Sequence, residues 1–370
     1  MTEYIPVYKP ELGIKEWENV RECLETTWIS SRGRFVEEFE EAFAQYTGVK
    51  HGIAVCNGTV ALHLALAGLG IGAGDKVAVP TFTYIAAVNA IRYVGAEPVF
   101  VDSDPTNLQM SPADLAAKAT EERLRAVIAV HLYGHPSDMS AIAAVARARE
   151  LLLIEDCAEA FGARIGERHV GGYGQAATYS FFGNKTITTG EGGMVTANDD
   201  RLALHFRKLR GQGLAKDREY WHDTLGFNFR MTNICAGIGV AQLQNAAGVL
   251  AKKRAIAGFY QTSLQGTALT FHTESLGTTH SFWMCSVLTR SPKERDELRA
   301  HLKARKIETR PFFYPVHQMP MYSAWSRGPY PGAEDAASRG INLPSYPGLT
   351  SSQLERVRDC LVEYYRDRAT

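Results

Sequence analysis

Between residues 50 and 200, short apolar runs alternate with amphipathic segments, and this alternation restricts the possible folds more than any other feature of the chain. Residues 52–56, 76–80, 97–101, 126–131, 151–156, 177–181 and 193–197 read as strands, with helical patterns such as 60–69 and 140–150 between them. Strands that are apolar along their whole length are buried on both faces. The pattern therefore predicts an α/β fold with a largely parallel sheet covered by helices on both sides. Right-handed crossovers fix the hand of the connections.

The rest of the chain reads differently. Residues 199–226 are polar, with Arg207, Lys208, Arg210, Lys216 and Arg218, and predict a helix followed by a solvated loop. An alanine-rich helical pattern runs from Asn233 to about Phe259, and a second unit holds an apolar run at 282–288, a helix at 292–306 and a last helix from Ser351. We expect a large domain over residues 1–250 and a smaller C-terminal α+β domain over 251–370. The Gly/Pro-rich piece 327–332 is expected to be a surface loop.

Charge and cysteine usage exclude several classes of function. The chain of 370 residues carries 40 Lys+Arg against 40 Asp+Glu. Such a balance argues against nucleic-acid binding through a basic patch and against a polybasic membrane anchor. The six cysteines are widely spaced, with no CxxC pair, which fits reduced thiols better than a disulfide framework. No apolar stretch approaches the roughly 18 residues of a membrane span. The first residues, Met-Thr-Glu-Tyr-Ile-Pro, lack the basic flank and apolar run of a signal peptide. The expectation is a soluble, cytoplasmic protein without a membrane or nucleic-acid partner.

Four segments carry candidate chemistry. Asn57-Gly58-Thr59 joins a strand to a helix, where backbone N–H groups and the helix dipole can cradle a phosphate; an ordinary helix cap has the same composition. The cluster Gly68, Gly70, Gly72 and Gly74 follows a helix and precedes a strand, the reverse of a dinucleotide fingerprint, and reads as a helix stop. Glu155 and Asp156 end an apolar strand, so both acids fall at the edge where open parallel sheets bind ligands. Lys185 lies between the aromatic run Tyr179-Ser180-Phe181-Phe182 and the glycine-rich Gly190-Glu191-Gly192-Gly193. An amine in an enclosed, partly apolar site loses some preference for its charged form and becomes a nucleophile. Ser180 offers a further phosphate hydroxyl. His131 and His135 are four apart, but Gly134 and Pro136 break any helix there, and no metal site is expected.

These segments together resemble the DegT/DnrJ/StrS sugar aminotransferases. The resemblance rests on Gly58-Thr59-x-Ala61-Leu62, Glu155-Asp156-Cys157-Ala158, Ser180-x-x-x-Asn184-Lys185, Gly190-Glu191-Gly192-Gly193 and Gly226-Phe227-Asn228-x-Arg230-Met231-Thr232, and it runs essentially end to end. It implies the aspartate aminotransferase fold (fold type I), with a large cofactor-binding domain and a small one, and pyridoxal 5′-phosphate as cofactor. By that resemblance Lys185 matches the lysine that holds the cofactor, and Asp156 the acid that pairs with its ring nitrogen. Gly58, Thr59 and Ser180 match phosphate ligands, Tyr84 an aromatic ring on the cofactor, and Asn228 a phosphate ligand donated by the neighbouring subunit of a homodimer. Arg310 and His317 match a segment over the sugar nucleotide. Many members carry glutamine where this chain has Glu159, beside the cofactor, so the role of that second acid stays open.

Within the family, residues 26–33, with Trp28 as a substrate candidate, and 188–194 resemble the GDP-perosamine synthases. The implied reaction moves an amino group from glutamate to C4 of a nucleotide-linked 4-keto-6-deoxy sugar, with GDP-4-keto-6-deoxy-mannose as acceptor, in lipopolysaccharide O-antigen synthesis. Acceptors linked to dTDP or UDP are the alternative within the chemistry. A dehydratase of this fold replaces the cofactor lysine by histidine, which Lys185 argues against. A non-catalytic cofactor-binding regulator is the alternative from another class, and no DNA-binding segment or charge excess supports it.

Overall fold

A computed structural model describes residues 3–368, leaving Met1 and Thr2 of the N-terminal stretch outside. The first strands are β1 (His51–Val55), β2 (Lys76–Pro80), β3 (Glu97–Val101), β4 (Ala126–Val130) and β5 (Leu152–Asp156). A short hairpin, β6 (Arg164–Ile165) and β7 (Arg168–His169), precedes β8 (Ala176–Ser180) and β9 (Gly193–Ala197). Seven of these form one sheet in the order β1-β9-β8-β5-β4-β2-β3. Neighbours from β3 to β8 run parallel; β9 alone is reversed, antiparallel to both β8 and β1. The sequence-derived strands fall within one residue of these positions. Full-length apolar strands signal burial on both faces, and β4 and β9 are buried throughout.

The helices of this unit are α1 (Ile14–Glu25), α2 (Arg34–Thr47), α3 (Gly58–Gly68), α4 (Ala86–Tyr93), α5 (Pro112–Glu121), α6 (Met139–Ala148) and α7 (Asp200–Arg210). Each of α3, α5, α6 and α7 begins with an Asn, Ser or Asp side chain that accepts an N–H of the first turn. Those caps stop the strand-to-helix turns from drifting. The Gly68–Gly74 run ends α3 as a turn, with Gly70 and Gly74 in the left-handed region.

The expected single helix from Asn233 to about Phe259 is instead two, α8 (Asn233–Gln244) and α9 (Ala246–Ser263), bent by 63°. Asn245 sits at the break as the C-cap of α8. A short polar side chain competes for backbone hydrogen bonds and favours a helix end, which alanine periodicity on either side conceals. No single helix among the described residues is long and apolar enough to cross a membrane.

The C-terminal part adds β10 (Thr270–Phe271), β11 (Thr278–Thr279), β12 (Cys285–Leu288), β13 (Arg310–Pro311) and β14 (Gly340–Leu343), with α10 (Pro292–Ala304), α11 (Pro331–Arg339) and α12 (Ser351–Arg366). Four strands form the antiparallel sheet β10-β12-β14-β13, while β11 joins the β6–β7 hairpin. The N-terminal segment returns here: Ile5 pairs with Ile307, and the Ser345 N–H donates to the Val7 carbonyl at 3.1 Å. The piece expected as a surface loop at 327–332 is partly an interior contact. Tyr330 is buried, Pro331 opens α11, and the Gly332 N–H donates to Asp102 at 3.0 Å. Pro at the first helical position and Gly at a close approach produce the same composition as a loop.

Candidate functional site

The carboxyl ends of the parallel strands converge on a cavity of about 730 Å³. Crevices of this kind form where strand ends and connecting loops leave the sheet uncovered. Gly58 and Thr59 line it from the start of α3, where Asn57 caps the helix by accepting the Val60 N–H at 3.0 Å. The first N–H groups of a helix have no helical acceptor and remain for an anion. The cradle depends on absent side chains. A β-carbon on Gly58 would sit 2.7 Å from that of Ser180, and one on Gly193 would sit 2.6 Å from the Asn57 carbonyl oxygen. Glycine at both places lets β8 and β9 close on the helix start, and Ser180 lines the cavity beside them.

Strand alternation separates the two acids that end β5. Asp156 lines the cavity, is nearly buried, and accepts one internal N–H, from Ala158 at 3.0 Å. Glu155 points to the opposite face and accepts N–H bonds from Gly171, Tyr173 and Gly174 at 2.5–2.9 Å. It also receives the His131 Nε2–H at 3.2 Å, because His131 Nδ1 accepts the Ser137 N–H. Glu155, His131 and Cys157 lie close enough to suit a cation. Glu155 and His131 Nδ1 already accept protein donors, and Cys157 is buried with its thiol pushed well above the usual range by that burial.

Lys185 reaches the cavity from the loop after β8. Its own N–H bonds back to the Phe182 carbonyl at 2.9 Å, and its carbonyl accepts the Tyr8 hydroxyl. The Lys185 ammonium lies 4.1 Å from the centre of the Trp283 ring, and the Trp283 Nε1–H donates to the Asn184 carbonyl at 2.7 Å. Glu159 Oε1 stands 3.9 Å from Lys185 Nζ. Burial lowers the Lys185 pKa, opposed by the charges of Glu159 and Asp156. Burial also raises Asp156, and pushes Glu159 up to about 7. A lysine and an acid whose affinities for a proton approach each other can exchange one near neutral pH.

The other sequence-derived candidates divide. Tyr84 lines the cavity, half-exposed, with its ring 5.6 Å from that of Phe313. Arg310 also lines it, with Nε 3.8 Å from Glu308 and nearly half its side chain exposed. Trp28, Asn228 and His317 are not among the lining residues of this single chain. Trp28 is exposed, and Asn228 Oδ1 accepts from Arg230 at 2.9 Å. His317 is buried between Thr81 at 2.7 Å and Glu334 at 3.1 Å. Sequence reading passed over Trp283, Phe313 and Asn342, which line the same cavity. Trp283 bonds to Asn184, Phe313 to Tyr133 and Asn342 to Ser286, all distant along the chain, so no local spacing announces them.

The model of the DegT/DnrJ/EryC1/StrS aminotransferase family matches residues 10–362. The chain belongs to that family. It is 53% identical to the GDP-perosamine synthase of Escherichia coli O157:H7, over 99% of this chain and 100% of that one. The GDP-perosamine synthase of Vibrio cholerae is 44% identical, over 98% and 99%. Among solved structures, DesV of S. venezuelae superposes with a TM-score of 0.92 at 34% identity, covering 98% of this chain and 99% of that one. This aminotransferase is a pyridoxal-phosphate enzyme of the aspartate aminotransferase fold.

The residues fit that cofactor. The cavity of this aminotransferase places a bare helix start, a nearly buried carboxylate with one internal donor and a desolvated amine on one enclosed surface. The Asn184 Oδ1 is buried without a hydrogen-bond partner among the described residues and belongs to the same wall.

Proposed function

We propose that this aminotransferase moves an amino group from glutamate to C4 of GDP-4-keto-6-deoxy-mannose, giving GDP-perosamine and 2-oxoglutarate. The near full-length 53% identity to a GDP-perosamine synthase carries the reading. Gly58, Thr59 and Ser180 would hold the cofactor phosphate, Tyr84 would cover its ring, and Lys185 would hold it covalently. Asp156 would face the ring nitrogen, where a fixed negative charge favours the protonated form. When bound, the cofactor supplies an electron sink for the carbon that loses its proton.

The chain's own groups do the rest. Lys185 Nζ, kept by burial from holding its proton tightly, takes and returns a proton at the reacting carbon. Glu159, 3.9 Å away, supports the charged form of that amine when it is itself ionised. The open side of the cavity carries Arg310, a donor suited to a diphosphate. Trp28 and His317 are proposed near the sugar nucleotide by family resemblance alone.

Asn228 is proposed to complete the phosphate site of a second copy in a homodimer, which accounts for its position outside the cavity of its own chain. A cytoplasmic location and a role in O-antigen lipopolysaccharide synthesis follow from the same reading. The division into a cofactor-binding domain, residues 1–250, and a C-terminal domain, 251–370, is supported by the seven-stranded and four-stranded sheets, which fall on opposite sides of that boundary, while the small β11-β6-β7 sheet bridges it. The test is kcat/KM for GDP-, dTDP- and UDP-linked 4-keto-6-deoxyhexoses with glutamate under one set of conditions. A preference for dTDP or UDP overturns the acceptor and leaves the transamination intact.

A further inference from the structure

Tyr133 is fully buried and has no role in the site as described. Its backbone stands at φ 55°, in the left-handed region that residues with a β-carbon rarely occupy. Strain of this kind persists where the surroundings over-determine it. Here the left-handed turn aims the Tyr133 N–H at Glu159 Oε2, which accepts it at 2.9 Å. The other oxygen, Oε1, is left toward Lys185 Nζ at 3.9 Å, and the Asp156 carboxylate is the remaining charged group that acts on both. The phenol reaches the opposite way. Its oxygen accepts the Phe313 N–H at 2.9 Å, on the segment that carries Arg310. Between the two ends the ring stacks on Trp283, with centroids 6.2 Å apart and planes 19° from parallel. Trp283 is the ring against which the Lys185 amine lies. One residue thus touches the acid, the aromatic seat of the lysine and the Arg310 segment.

We propose that Tyr133 is a positioning residue that couples the Arg310 segment to the Glu159–Lys185 pair, so that a nucleoside diphosphate at Arg310 resets how the pair holds its proton. The inference rests on the nucleotide-sugar reading above for what occupies the open side of the cavity. A diphosphate that draws Arg310 inward pulls on Phe313, and its N–H transmits the pull to the phenol. The buried ring moves as a unit with the amide that holds Oε2. In a poorly solvated wall, a small change in the separation of a carboxylate and an amine changes which of them carries the proton.

The experiment uses the apoenzyme, so that no step depends on turnover. Reductive methylation of Lys185 by formaldehyde and cyanoborohydride, followed against pH by peptide mass spectrometry, gives the titration midpoint of the amine. GDP is the probe. In the wild type, saturating GDP should move the midpoint by about half a unit or more. Tyr133→Phe keeps the ring and the N–H but removes the acceptor of Phe313. It should show the wild-type midpoint without GDP and lose most of the GDP-linked shift. Glu159→Gln, which keeps an acceptor for the Tyr133 N–H, should lose the shift from the other end. A merely structural Tyr133 would lower the melting temperature of Tyr133→Phe and leave the shift whole. A full shift in either folded variant overturns the proposal, and so does a wild type that binds GDP by calorimetry without any shift. A wild type that fails to bind GDP at all overturns the nucleotide reading beneath it.

Discussion

Lys185 and Glu159 are the residues whose chemistry is most sensitive to their surroundings. The amine is desolvated, and the carboxyl is pushed up to about 7 by burial, so lowering pH through 7 discharges the acid beside the amine. We expect an acidic limb near pH 7 in the profile of kcat/KM, and we expect Glu159→Gln to remove that step, read by initial rates from pH 5.5 to 9. Lys185→Ala should lower turnover by about four orders of magnitude or more, since it removes both the covalent anchor and the proton carrier. Turnover within tenfold of wild type would remove Lys185 from the mechanism. The lysine stood out in the sequence because it lies between aromatic and glycine-rich runs. Of the residues around it, Glu159 was reached only through the family resemblance, and Tyr8 and Trp283 were not reached at all, since they come from distant segments.

Local chemistry at the element boundaries explains why the strands of the large sheet and the cap at Asn57 were legible. Apolar runs and Asn, Ser or Asp caps act within about one helical turn. The ties between elements are a different matter. Glu40, buried on α2, accepts the Ala54 N–H of β1 at 2.9 Å and pairs with Arg207 and Arg210 of α7. Removing one partner of a buried ionic cluster leaves the others uncompensated. Glu40→Ala should therefore cost about 3–5 kcal/mol, read from the denaturant midpoint with an unchanged slope. A cost below about 1 kcal/mol would mean that water replaces the carboxylate there. In the sequence Glu40 belongs to an acidic stretch, Glu37-Glu38-Phe39-Glu40-Glu41, and only the packing of α2 distinguishes it from its solvated neighbours.

For the whole molecule, the contact between the loop after β4 and the segment before β12 carries three buried histidines. The rings of His135, His272 and His280 lie 5.0–5.3 Å apart. Burial lowers all three pKa values, that of His272 to about 3. The folded protein keeps these rings neutral, whereas the unfolded chain protonates them below about pH 6.5. Protons therefore favour unfolding below that pH, and stability should be full above it and fall as pH drops from 6.5 toward 3. Each such group contributes up to about 1.4 kcal/mol per pH unit within its window. Chemical denaturation at pH 7.5, 6.5 and 5.5 checks the slope, and His272→Asn should flatten it. The proposed shared site is tested at the same scale. Mixing Lys185→Ala chains with Asn228→Ala chains should regenerate some sites with both groups intact. Heterodimers with no more activity than the separate variants would rule out sharing, given that Asn228→Ala is itself disabling.

The sequence alone determined the α/β layering, the strand positions of the large sheet, the starts of α3, α6, α8, α10 and α12 to within two residues and the glycine-lined turn before α3, because each depends on side-chain pattern over a few residues. It also brought the motifs of one family into a single order, and the family match over residues 10–362 agrees with that reading. Tertiary structure decided what depends on which distant segments meet. It turned Asp156 into the cavity and Glu155 away, broke the alanine-rich helix at Asn245, and seated His317 between Thr81 and Glu334. It also set Tyr133 in a left-handed turn against Glu159. Strand alternation makes neighbouring acids differ, but the side that faces the cavity follows from the order of the sheet. That order is fixed by packing between parts of the chain that share no local pattern.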